Sequence, residues 1–169
     1  RHIANTAAIT RFPHAHYDMV RLGLGLYGID GDPKTSNRLE RVHTLKAKII
    51  QIKLLSKGET VGYNRTHTLE RNSRIAIINI GYADGLMRSS GNSKHSVHLH
   101  GRYVPIIGNV CMDLTMIDIT DVSAAEVGDD VELFGKKADI RSLAKINNTI
   151  PYELLAGIST RVKKVYVRS

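Results

Sequence analysis

At 169 residues and 42% hydrophobic, the chain can bury a real core, which Ile, Val and Leu must fill because Trp is absent and Phe scarce. It holds no run of ~18 apolar residues, so no membrane span is expected; no apolar signal-peptide core follows Arg1-His2-Ile3, and the single cysteine, Cys111, excludes an internal disulfide and suits a reducing cytosol. Lys plus Arg exceed Asp plus Glu by 24 to 16, a net charge of +8, yet the cations are scattered without an RNA-binding aromatic motif, a recognition-helix pattern or paired cysteines, so nucleic acid is not an expected partner.

In chain order, residues 19–29 are nearly all apolar apart from Arg21 and are rich in Gly. Such a run predicts a strand buried on both sides that ends in a turn with exposed backbone. Residues 31–37 read as a linker by composition, which divides the chain into 1–33 and 34–169. Beyond it the pattern is mainly β. Leu45–Leu55 mixes Lys and Gln with Ile and Leu and breaks at Ser56-Lys57-Gly58-Glu59. Strands are predicted over 74–80, 97–100, 103–107, 112–120 and 131–134, the last after the turn signal Gly128-Asp129-Asp130. Strands this short and regularly spaced favour an antiparallel barrel or sandwich. Ile140–Ile146 has helical spacing with Asp139 as its cap, residues 152–158 form a second short helix, and residues 162–167 close the chain as a strand.

Several residues invite chemistry, each with a plainer alternative. Arg21 inside an apolar run pairs either with a buried carboxylate or with a ligand anion that the amides near Gly23 and Gly25 could approach. Tyr63 and Tyr82 are either structural aromatics or, where cations such as Arg21 come close, bases. Cys111 has nothing near it to activate a thiol and reads as a small buried residue. Asp113 caps a turn or binds a backbone amide. His14/His16 and His98/His100 each share a face if they lie on strands, but no third ligand of suitable spacing accompanies them, so no metal is expected.

Four runs in order carry a resemblance. They are Met19-Val20-Arg21-Leu22-Gly23-Leu24-Gly25-Leu26-Tyr27-Gly28, then Glu59-Thr60-Val61-Gly62-Tyr63-Asn64-Arg65-Thr66, then Ile80-Gly81-Tyr82-Ala83-Asp84-Gly85 with Arg88, and Gly108-Asn109-Val110-Cys111-Met112-Asp113. Together they resemble the C-terminal part of alanine racemase, an enzyme that uses pyridoxal phosphate, and the resemblance runs from His2 to about Val167. It implies the end of a (β/α)8 barrel over residues 1–33 and a β-rich domain over 34–169. By resemblance Tyr63 is the catalytic base; Thr6, Gly23, Leu24 and Tyr152 hold the cofactor phosphate; Arg21 faces the pyridine nitrogen, with His2 beside it. Tyr82 and Met112 line the substrate pocket, and Arg88 its entrance. The family's substrate is alanine, the enzyme is cytoplasmic, and D-alanine serves peptidoglycan. It works as a homodimer in which Tyr63, Tyr82 and Met112 serve the partner's site.

The chemistry agrees with these roles, because returning a proton to either face of a planar carbanion wants two bases, a lysine and a tyrosine. Three departures stand out. The strand–Lys–Ala-Asn-Ala-Tyr-Gly cofactor motif is absent, so the chain alone is expected to be inactive; Asn109 stands where many relatives carry Arg; His67 stands where many carry Tyr. The alternatives are another pyridoxal-phosphate racemase or decarboxylase of the same architecture, or a basic β-barrel binding module. A decarboxylase would be expected to place an acid, not Arg21, at the pyridine nitrogen. A binding module predicts cations and aromatics gathered on one face.

Overall fold

The computed structural model describes residues 1–30, 32, 35 and 38–167 and divides into two compact units, Arg1–Thr44 and Leu45–Ser169. Of the expected linker, Asp32 and Thr35 are described; the rest, with the boundary between 33 and 34, lies outside the described residues.

The first unit begins with helix α1, Thr6–Arg11, capped by Asn5, whose side-chain oxygen accepts from the Ala8 amide at 3.1 Å. Single 3-10 turns follow at Pro13–Ala15 and Leu24–Tyr27. The buried strand expected over 19–29 does not form. Met19, Val20, Leu22 and Leu26 are exposed, and the Arg21 amide bonds the Ala4 carbonyl instead of a ladder partner. A strand buried on both faces needs hydrogen-bonded neighbours on either side, and no strand occurs among the described residues of this unit.

In the second unit the period-two segments become strands because their turns are set by Gly and by short polar runs. These are β1 Leu45–Leu55, β2 Thr60–Val61, β3 His67–Thr68, β4 Ser73–Ile78, β5 Ser96–Leu99, β6 Arg102–Ile107, β7 Thr115–Asp118 and β8 Asp130–Phe134. Six of them close an antiparallel barrel in the order β1-β4-β7-β6-β5-β8. Strand β1 serves two neighbours: Lys46, Ala47 and Lys48 pair with β8, while residues from Gln51 onward pair with β4 after a register shift. Such a bulge bends a long strand enough to turn the sheet onto itself. Inside sit Ile49, Ile78, Val97, Leu99, Ile106, Ile117, Val131 and Leu133, all fully buried.

The ribbon β2–β3 escaped the periodicity reading because each strand is only two residues long. It is anchored by Val61, which joins Leu69, Ile75 and Ile107 in one apolar cluster. Helix α2, Ile140–Ile146, starts at Asp139 as expected, the carboxylate accepting from the Arg141 amide at 2.9 Å. Helix α3 spans Pro151–Ala156. Two expectations need correction. Residues 112–114 form a turn, closed by the Cys111 amide on the Leu114 carbonyl, so the strand over 112–120 shrinks to β7. Residues 162–167 form no strand, and Val165, Tyr166 and Val167 are exposed. The closed barrel leaves no edge for them to pair with.

Candidate functional site

In the first unit, α1 and the run after Arg21 build a small cradle. Thr6 opens the helix with its side chain buried, and its hydroxyl oxygen accepts from the amides of Gly23 at 2.9 Å and Gly25 at 3.3 Å. A Cβ at Gly25 would come within 2.7 Å of Leu22 Cδ1 and 3.1 Å of Thr6 Cγ2, so a larger residue here would have to displace the exposed Leu22 side chain and press on Thr6. Leu24 lies between the two glycines. The Arg21 guanidinium is exposed and donates to the Ile3 carbonyl at 3.1 Å, next to exposed His2. The buried carboxylate pair considered for Arg21 is therefore not formed, because the cation never leaves water. Turned from the Thr6 oxygen that now accepts them toward an anion, these amides together with the hydroxyl have the donor chemistry that a phosphate monoester needs.

In the second unit, loops at 62–66, 81–91, 108–114 and 157–161 are tied together. Tyr63, 72% exposed, opens the 3-10 turn Tyr63–Arg65. Its carbonyl accepts from Asn109 Nδ2 at 3.1 Å. Three residues further on is Met112. The Tyr82 amide bonds the Cys111 carbonyl, and the Ala83 amide the Met112 carbonyl, each at 3.0 Å. Gly81 permits this: a Cβ there would sit 2.3 Å from both of those carbonyl oxygens. Tyr82 and Met112 are thus held side by side, both exposed. Arg88 is near enough for its charge to act on Cys111. Partial burial pushes the Cys111 thiol up and the Arg88 charge pulls it only partly back, so the thiol is not activated, as expected, although the residue is half-buried rather than buried. Tyr152 lies in the first turn of α3, whose following segment returns to the same loops: the Ser159 amide bonds the Asp84 carbonyl at 3.2 Å.

Arg161 was not singled out in the sequence, yet it locks this cluster. Its Nε donates to Asp84 at 2.7 Å and an Nη to Asp113 at 2.6 Å. Asp84, 8% exposed, also accepts from the Gly81 amide. Asp113 therefore meets an arginine rather than capping a turn or binding a backbone amide. No local signal marks Arg161, because its partners lie 77 and 48 residues away. The two carboxylates in turn hold the guanidinium charged.

The histidine pairs do not share strand faces. His14 lies in a 3-10 turn, and His16 contacts the Ile9 carbonyl through Nε2. His98 packs edge-on against Tyr103, while His100 sits in the following turn, 2.9 Å from Asp129. Among the described residues no three His, Cys, Asp or Glu side chains gather as a metal site.

Residues 42–166 match the family model "Alanine racemase, C-terminal domain", and residues 1–31 match "Alanine racemase, N-terminal domain". The chain is 44% identical to alanine racemase 2 of Caldanaerobacter subterraneus, over 99% of this chain and 44% of that protein. It is 41% identical to alanine racemase 1 of Clostridium acetobutylicum, over 100% of this chain and 45% of that protein. Among solved structures, alanine racemase from Bartonella henselae with covalently bound pyridoxal phosphate superposes with a TM-score of 0.90 at 35% identity, over 97% of this chain and 46% of that one. The enzyme from a D-cycloserine-producing Streptomyces lavendulae gives 0.92 at 30% identity, over 100% and 46%. The chain thus spans a little under half the length of the relatives it matches.

Proposed function

The chain belongs to the alanine racemase family, and on that premise we propose that it serves in a pyridoxal-phosphate enzyme that interconverts L- and D-alanine in the cytoplasm, supplying D-alanine for peptidoglycan. The observation that carries this reading is the cradle at Thr6, where a hydroxyl and the amides of Gly23 and Gly25 converge beside Arg21. Thr6, Gly23 and Leu24, with Tyr152, hold the cofactor phosphate; Arg21, steadied by the Ile3 carbonyl and next to His2, faces the pyridine nitrogen. An arginine there does not surrender a proton, so it leaves that nitrogen unprotonated, which favours return of the proton to Cα. When bound, pyridoxal phosphate supplies the electron sink that makes loss of the Cα proton feasible.

Tyr63 takes or returns the proton on one face of Cα, and a lysine from outside this chain serves the other. Tyr82 and Met112 form the wall of the substrate pocket, and Arg88 stands at its entrance. In a homodimer, Tyr63, Tyr82 and Met112 serve the partner's site, while Thr6, Arg21, Gly23, Leu24 and Tyr152 serve their own. Lacking the lysine motif, the chain alone does not turn over alanine.

In the full-length enzyme Tyr63→Phe keeps the ring and removes the phenol. Exchange of the Cα proton with solvent deuterium is expected to fall by ~10² to 10⁴-fold from one enantiomer and to persist from the other. Undiminished exchange from both enantiomers rejects Tyr63 as the base.

A further inference from the structure

We propose that Asn109 and Asn92 are positioning residues, a side-chain latch that fixes the turn presenting Tyr63; its catalytic meaning rests on the role proposed for Tyr63 above. Asn109 is 6% exposed, and its carboxamide is committed at both ends. Nδ2 donates to the Tyr63 carbonyl at 3.1 Å, and Oδ1 accepts from Asn92 Nδ2 at 3.0 Å. Asn92 in turn accepts from the Thr66 hydroxyl at 3.2 Å, and its backbone amide donates to the Gly108 carbonyl at 2.7 Å. Three turns, at 62–66, 91–93 and 108–110, are closed into one ring of hydrogen bonds.

The turn so held would not hold itself. Asn64 at φ 61° and Arg65 at φ 50° are both left-handed, a conformation that asparagine tolerates but that an arginine holds only when its surroundings impose it. The ribbon beneath it has two residues per strand, too few to be stable by pairing alone. The Tyr63 phenol makes no hydrogen bond among the described residues, so it is aimed from its backbone side. The same buried Asn109 amide cannot leave the Tyr63 carbonyl without giving up a hydrogen bond in a largely desolvated place. A misplacement of about 1 Å at a proton-transfer group can cost on the order of 10²-fold in rate, so the latch sets the efficiency of one face of the reaction only.

The test has two arms. In this chain, Asn109→Asp removes the donor to the Tyr63 carbonyl, Thr66→Val removes the hydroxyl at constant shape, and Thr66→Ser restores it. Amide hydrogen exchange over residues 62–69 is expected to quicken by roughly tenfold or more in the first two and not in the third, with the amides of β4 and β6 unchanged. In the full-length enzyme, Thr66→Val and Asn109→Asp are expected to lower kcat for Cα deuterium exchange by about ten- to a hundredfold on the face that Tyr63→Phe abolishes, leaving the other face within about twofold. Unchanged amide exchange in both variants overturns the latch. A faster turn with both faces slowed equally overturns its positioning role alone. If Tyr63→Phe spares both faces, the proposed function fails, and the positioning role with it, whatever the amide exchange shows.

Discussion

Cys111 shows how far a single residue can be read. Its isolation from any base in the sequence predicts an inert thiol, and burial raising its pKa bears that out. The nearby Arg88 opposes burial by favouring the thiolate. Arg88→Ala is therefore expected to push the Cys111 thiol further up and to slow its alkylation by iodoacetamide at pH 8 severalfold, as thiolate fraction sets the rate. An unchanged or faster rate would show that Arg88 does not act on it. Arg161 is the opposite case. Nothing in Ser159-Thr160-Arg161 distinguishes it from the other scattered cations, because an ion pair is defined by its partner, and Asp84 and Asp113 come to it only through the fold.

At the scale of elements, the loop joining β4 to β5 is held to the loop after β6 by close backbone contact at Gly81 as well as by the Asn92–Asn109 bond and the Arg161 bridge. Gly81→Ala places a methyl against two carbonyl oxygens that cannot move separately from Tyr82 and Met112. Overpacking of this kind is expected to cost about 1–3 kcal/mol or more, seen as a lowered denaturation midpoint at unchanged m-value. If Tyr82 and Met112 have the pocket role proposed for them, alanine is also expected to bind more weakly in the full-length enzyme. A variant as stable as its parent would mean that the two loops part easily. By contrast α2 was legible to the residue, because Asp139 and the apolar spacing of Ile140, Leu143 and Ala144 are local signals.

For the whole molecule, closure of the barrel depends on the seam between β1 and β8, where Lys46 and Lys48 both reach Asp130 at 3.1 and 2.7 Å. The hydrogen bonds from Lys48 and Lys46 hold the Asp130 carboxyl below its ordinary value of 3.8. A carboxylate depressed in the folded state adds stability above its unfolded pKa and loses it as pH falls through the folded one. Asp130→Asn should thus cost no more than about 1 kcal/mol at pH 7, the pair being half-exposed, and that difference should shrink in denaturation curves as the pH falls below 3.8 and through the depressed folded value. A difference that does not shrink with acidification would locate the effect in packing. By itself the sequence determined the β-rich class, six strands of the barrel to within a few residues and the capped helix, because alternation, turn glycines and caps are written within about ten neighbouring positions. Only the tertiary structure decided the order β1-β4-β7-β6-β5-β8, the sharing of β1 between two partners, the absence of a strand at 162–167, the Asn92–Asn109 latch and the pairing of Arg161. Each of these joins residues or strands far apart in the chain or turns on the closure of the barrel, and long-range pairing is settled by register and available edges, which no local pattern contains.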